Sequence, residues 1–166
     1  MDAAPHKKPR VWSVGLLAGA CAAVLHFCAF PNVNAWWAGL VCLSPLILWA
    51  YAKPPRRAFL TLGFLAFFFS WSALLIWLRH VYPGWGWVGV FFLAFFNSCF
   101  AWVWLWALWW VGRRYDLSGP ARLRIFSILG LAAFWVVLEW LRGWLFTGFP
   151  WLPLSVSQWV QPAMLQ

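Results

Sequence analysis

Apolar residues in this chain gather into long unbroken runs rather than recurring at a helical or strand period. Five such runs occupy positions 11–30, 35–52, 58–78, 86–111 and 125–141, separated by short connectors that hold eight of the twelve Lys and Arg. The first four contain no charged side chain, and the fifth contains one, Glu139, near its far end. About 20 helical residues cross the roughly 30 Å hydrocarbon core of a bilayer. A backbone placed there must satisfy its own hydrogen bonds, which leaves helices or a closed barrel. A barrel needs alternation of apolar and polar positions, and these runs have none. The pattern predicts an all-α membrane protein with about five transmembrane helices, followed by a broken segment, 142–166, at the outer interface.

Composition agrees. The 166 residues are 65% hydrophobic and 9% charged, against roughly a quarter charged in a soluble domain. Twelve basic and three acidic groups are too few to cover the outside of a water-soluble fold of this length. The net charge of +9 does not indicate nucleic acid, because the basic residues sit in clusters between apolar runs instead of on one folded face. Their distribution is topological. Lys7, Lys8 and Arg10 precede the first run, Lys53, Arg56 and Arg57 follow the second, and Arg113, Arg114, Arg122 and Arg124 follow the fourth. Ten of the twelve thus share one side, with Arg79 and Arg142 opposite. Lys and Arg are retained in the cytoplasm, so the amino terminus is expected inside and the end of the fifth run outside. The first run continues to Phe30, well past the small residues at 18–21, and reads as a retained helix rather than a cleaved signal peptide.

Little in the runs suggests chemistry. Cys21, Cys28, Cys42 and Cys99 lack metal-ligand spacing and lie in apolar stretches, where cysteine behaves as a small hydrophobe. His26 and His80 are isolated and fit packing or interfacial roles rather than zinc. No metal, cofactor or catalytic residue is expected. Many of the 18 Trp fall at run ends, where indole favours the headgroup level. Trp102, Trp106, Trp109 and Trp110 form a stripe within the fourth run, read either as packing and lipid contact or as the wall of an acyl-chain groove.

The informative segment begins at Glu139. It reads Glu-Trp-Leu-Arg-Gly-Trp-Leu-Phe-Thr-Gly-Phe-Pro-Trp over 139–151. Gly148 is free to adopt a conformation closed to other residues and Pro150 lacks an N–H, so a helix should break there. Phe149 and Trp151 would anchor the bend at the interface. Glu139 and Arg142, three apart, share a helix face. They are read either as an ion pair that lets the helix end or as a polar patch for lipid headgroups or a docked domain. The contact candidates are therefore Glu139, Arg142, Phe149, Pro150, Trp151 and Gln158.

This stretch, continued to Ser157-Gln158, resembles the signature segment of bacterial apolipoprotein N-acyltransferases. Ala29-Phe30-Pro31, Trp37 and Leu43-Ser44-Pro45-Leu46 resemble that family's opening helices, as do Arg57-Ala58-Phe59, Gly63-Phe64 and Trp77. Asn32, and Ser155-Val156, depart from the residues usual there. The resemblance implies an inner-membrane, multi-pass enzyme in lipoprotein maturation. A phospholipid is the acyl donor and a diacylated apolipoprotein the acceptor, and a nitrilase-like domain supplies catalytic Glu, Lys and Cys. None of those three maps onto this chain. Its last run, 161–166, resembles a loop that in the family leads into further helix, so the expectation is a fragment, or one half of a split enzyme, inactive alone. The alternatives are a small transporter or channel component, or a non-catalytic membrane scaffold.

Overall fold

The computed structural model describes residues 8–81, 83–116, 118–146 and 148–165; Lys7, Thr147 and Gln166 lie outside them. Among the described residues the chain is helical throughout and forms no strand. The helices are α1 (Lys8–Ala29), α2 (Trp36–Val41), α3 (Ser44–Tyr51), α4 (Arg56–Leu74), α5 (Gly86–Arg114), α6 (Ala121–Trp144) and α7 (Pro162–Leu165), with 3-10 turns at Ile76–His80 and Leu154–Gln158. Four of them, α1, α4, α5 and α6, are long and apolar enough to cross a membrane. The chain is a multi-pass membrane protein.

The second run differs from its expected form as one helix over 35–52. It is two short helices joined by a turn at Cys42 and Leu43. Pro45 is the cause. In a continuous helix its ring would strike the carbonyl of Val41 and leave that oxygen unbonded; in the first turn of α3 its missing N–H costs nothing. The α2–α3 unit, Trp36–Tyr51, is roughly 24 Å long at about 1.5 Å per residue, short of the hydrocarbon thickness. Boundaries elsewhere move by a few residues. Pro120 sets the start of α6, and α4 gives way to a 3-10 turn before the expected end at 78.

The core forms where α4 packs between α1 and α5. Phe59, Leu75, Leu105 and Leu108 are wholly buried there, with Leu46 from α3 and Phe30 at the end of α1. Burial of a Leu or Phe stabilises by about 1.5–3 kcal/mol in water; in lipid, close packing and hydrogen bonds take over that role. His26 illustrates the second. Its Nδ1 lies 2.7 Å from Ser70 Oγ, inside a cage of Phe30, Phe67 and Trp71 rings at 5.2–5.7 Å. It is a packing residue bridging α1 and α4.

One end of the bundle is basic. Lys53 and Asp116 pair there at 2.7 Å, an exposed contact of the kind that contributes about 0–1 kcal/mol. Arg113 and Arg114 lie over Trp109 and Trp110, 5.2 and 5.8 Å from the ring centres, and Trp109 Nε1 donates to the Pro54 carbonyl. Within the expected Trp stripe, Trp102, Trp106 and Trp110 are exposed on the outside of the bundle. Trp104, outside the stripe, is the buried one, and it donates to the Leu131 carbonyl of α6 at 2.9 Å.

Candidate functional site

At the end opposite the basic cluster, α6 ends at Trp144, ahead of the break at Gly148 and Pro150 that the sequence predicts. Leu145 turns extended, the Gly148 N–H donates to the Leu145 carbonyl and the Phe149 N–H to the Arg142 carbonyl. Gly148 takes φ +76°, and a Cβ there would collide with the carbonyl of Gly143, so no other residue fits without strain. Phe146 and Leu152 also adopt left-handed φ, 56° and 52°. For bulky residues this costs about 1–3 kcal/mol each and persists only where the surroundings impose it.

Three polar side chains hold the segment that follows. Glu139 Oε1 accepts the Leu154 N–H at 2.7 Å. Arg142, 4% exposed, donates through Nη2 to the Trp151 carbonyl at 3.3 Å and lays its guanidinium 5.1 Å over the Trp71 ring. Gln158 donates through Nε2 to the Trp36 carbonyl and to Ser157 Oγ, each at 2.9 Å. Segment 149–158 is thereby fastened to α6 at its start and to α2 at its end. Trp159 adds a bond to Asn34 Oδ1. Gly39 of α2 lets the 3-10 turn approach, since a Cβ there would meet Ser157 and Gln158.

The six contact candidates therefore separate by burial. Arg142 and Gln158 are buried, Glu139 and Phe149 half-buried, Pro150 and Trp151 exposed. Trp151 stacks on Trp77 and Phe149, with ring centres 5.7 and 6.3 Å away. Glu139 and Arg142 share a helix face but form no ion pair within 4.0 Å. Each holds the main chain of the bent segment instead. The short-range pattern did not reveal this, because both partners lie nine to fifteen residues further on, beyond a break in the helix.

Glu139 also marks one end of a long apolar trough. The α2–α3 unit and α6 both lean on α5 and leave between them a cavity of about 760 Å³. One wall is the α6 stripe Ile125, Ile128, Ala132, Val136 and Glu139; the other is Leu40, Leu43, Ile47 and Tyr51; Trp104 lies between. From Ala121 to Glu139 the trough extends roughly 27 Å at about 1.5 Å per residue, close to the thickness of a bilayer core. Its polar groups sit at the two ends, Arg124 at one and Glu139, Ser155 and Gln158 at the other. Such a slot suits an extended hydrocarbon chain whose polar end lies beside Glu139. Trp106 and Trp110 contribute to a second, shallower depression of about 470 Å³.

Of the cysteines, Cys42 is buried and Cys21 exposed, with Cys28 and Cys99 between. Cys42 Sγ contacts the Gly39 carbonyl. Among the described residues no cluster of His, Cys, Asp and Glu is arranged to hold a metal.

Comparison with known proteins agrees with this architecture. The family model described as the apolipoprotein N-acyltransferase N-terminal domain matches residues 22–166. The chain is 35% identical over 160 residues to an apolipoprotein N-acyltransferase of Bordetella bronchiseptica, covering 86% of this chain and 28% of the relative. It is 34% identical over 160 residues to that of Azotobacter vinelandii, covering 89% and 28%, and 33% identical over 139 residues to that of Ralstonia nicotianae, covering 78% and 25%. The chain thus spans about a quarter of the length of these relatives. No solved structure matches it significantly. A match to the N-terminal domain model over nearly the whole chain, carried by apolar membrane helices, establishes that the chain belongs to the apolipoprotein N-acyltransferase family.

Proposed function

We propose that this chain is the membrane part of an apolipoprotein N-acyltransferase, and that its trough seats an acyl chain of the phospholipid donor. The whole enzyme would transfer a fatty acyl group from phospholipid to the amino group of a lipoprotein's N-terminal diacylglyceryl-cysteine. In this reading the chain lies in the bacterial inner membrane with its amino terminus in the cytoplasm. Segment 149–158 then faces the outer side, where a nitrilase-like domain carries the catalytic Glu, Lys and Cys.

The observation that carries the reading is the trough itself. It is apolar along a bilayer's depth and polar beside Glu139 and Gln158, so a lipid held in it presents its headgroup to the bent segment. Holding both lipid-anchored substrates in one plane raises their effective concentration at the catalytic domain. Among the described residues no cysteine is hydrogen-bonded to a base, and Cys42 Sγ meets only the Gly39 carbonyl. A nucleophilic cysteine needs a base within hydrogen-bond reach, whereas Lys53 is paired to Asp116 at the basic end and Glu139 is bonded to Leu154 at the other.

Two measurements test this. Native mass spectrometry of the purified chain should detect a retained phospholipid that disappears in Ala132→Trp, which fills the trough; equal retention in the filled variant refutes the seat. The 166 residues alone should transfer no labelled palmitate from phospholipid to a diacylated lipopeptide. Turnover by this chain would remove the need for a separate catalytic domain.

A further inference from the structure

Beside the trough, between α4, α5 and α6, lies a small pocket that Glu139 and Arg142 share with Asn97 and Trp135. Its lining includes Trp71, Asn97, Trp135, Glu139 and Arg142. Three side-chain atoms of that lining are buried without a protein hydrogen-bond partner: Asn97 Oδ1, Trp135 Nε1 and Arg142 Nε. Asn97 is 1% exposed, and its amide is oriented by the bond from Nδ2 to the Leu93 carbonyl at 2.6 Å, which leaves Oδ1 as the free acceptor. The Trp135 indole lies beside the Glu139 carboxylate without reaching hydrogen-bonding geometry. Leaving one buried polar atom unbonded costs about 1–3 kcal/mol. Three such atoms around one pocket call for a common partner.

We infer that this pocket is a binding site for a single water molecule that ties α5 to α6 beneath the bent segment. The size fits one and no more: the cavity measures about 10 Å³, and one water needs roughly 10–15 Å³ of such space. The chemistry fits as well. Water accepts two hydrogen bonds and donates two. Trp135 Nε1 and Arg142 Nε are donors, and Asn97 Oδ1 and the Glu139 carboxylate are acceptors. Glu139 and Arg142, which make no direct ion pair, are joined through this molecule, and Asn97 connects them to α5. An all-apolar pocket of this size would stay dry; the two donors and two acceptors distinguish this one.

Water-edited solid-state NMR of the 15N-tryptophan-labelled chain in phospholipid bilayers tests the site, with Trp135→Phe and Trp104→Phe assigning the two indoles. The Trp135 N–H should show transfer from water protons. The Trp104 N–H, bonded to the Leu131 carbonyl with its ring 5.3 Å from that of Trp135, should show none. Asn97→Leu should abolish the Trp135 signal, and Asn97→Ser, which keeps an acceptor, should retain it. A wild-type Trp135 N–H without water contact overturns the proposal. So does a signal undiminished in Asn97→Leu, or one lost in Asn97→Ser.

Discussion

Glu139 reaches the main chain at one point, and that makes its contribution measurable by a single amide. Its Oε1 accepts the Leu154 N–H at 2.7 Å. A hydrogen bond to a charged group contributes about 1.5–3 kcal/mol, and about 1.4 kcal/mol is tenfold in an equilibrium constant. In Glu139→Leu the opening equilibrium of that amide should rise roughly 10- to 150-fold, and its hydrogen exchange with it. Glu139→Gln keeps a neutral acceptor about half as strong, so the increase there should be about 3- to 10-fold. The Phe149 N–H, donated to the Arg142 carbonyl, belongs to a different anchor and should change by less than about twofold. Exchange resolved at single amides in nanodiscs reads all three. If Leu154 is unaffected in Glu139→Leu, the carboxylate does not hold the segment; if Leu154 and Phe149 accelerate equally, the end of α6 frays as a whole and the separate-anchor account is wrong.

Three further substitutions probe the same region through unfolding titrations in mixed micelles. Gly148→Ala should destabilise by about 1–3 kcal/mol, because φ +76° suits glycine and the added methyl meets the Gly143 carbonyl; an unchanged midpoint contradicts this. Phe146→Gly should stabilise by about 1 kcal/mol, since φ is 56° and the ring is 78% exposed, leaving backbone relief with little packing to lose; a loss of stability would show that the ring is held in place. Gly39→Val should cost about 1–3 kcal/mol by overpacking against Ser157 and Gln158. It should speed exchange across 154–158 while leaving Phe149 protected.

Much of the architecture is written in local sequence. Four long helices follow from uninterrupted apolar runs, and the bend just beyond α6 follows from Gly148 and Pro150, because chain length and φ preference act residue by residue. The split at Cys42 and Leu43 was equally legible through Pro45, but the weight of apolar residues on both sides masked it. The packing face of α5 was also open to reading. Val90, Ala94, Asn97, Ser98, Ala101, Leu105, Leu108 and Gly112 are buried and recur at helical spacing, as small and polar residues do where membrane helices meet. The more prominent Trp102, Trp106 and Trp110 lie on the exposed side instead. What sequence did not carry was the destination of the polar groups. The burial of Arg142 against Trp71 of α4, the reach of Gln158 back to Trp36 and the closure of the trough by α2 and α3 depend on contacts across tens of residues. No local pattern encodes them.

The account stands on the bent segment lying across the bilayer from the arginine clusters, where it can meet a catalytic domain that the basic end cannot. Labelling by a membrane-impermeant maleimide in spheroplasts addresses this directly, with the four native cysteines replaced by alanine and single cysteines placed at the exposed positions Pro150 and Arg114. The account predicts that Pro150→Cys reacts in intact spheroplasts while Arg114→Cys reacts only after lysis. Reaction of both before lysis, of neither, or of Arg114→Cys alone contradicts it.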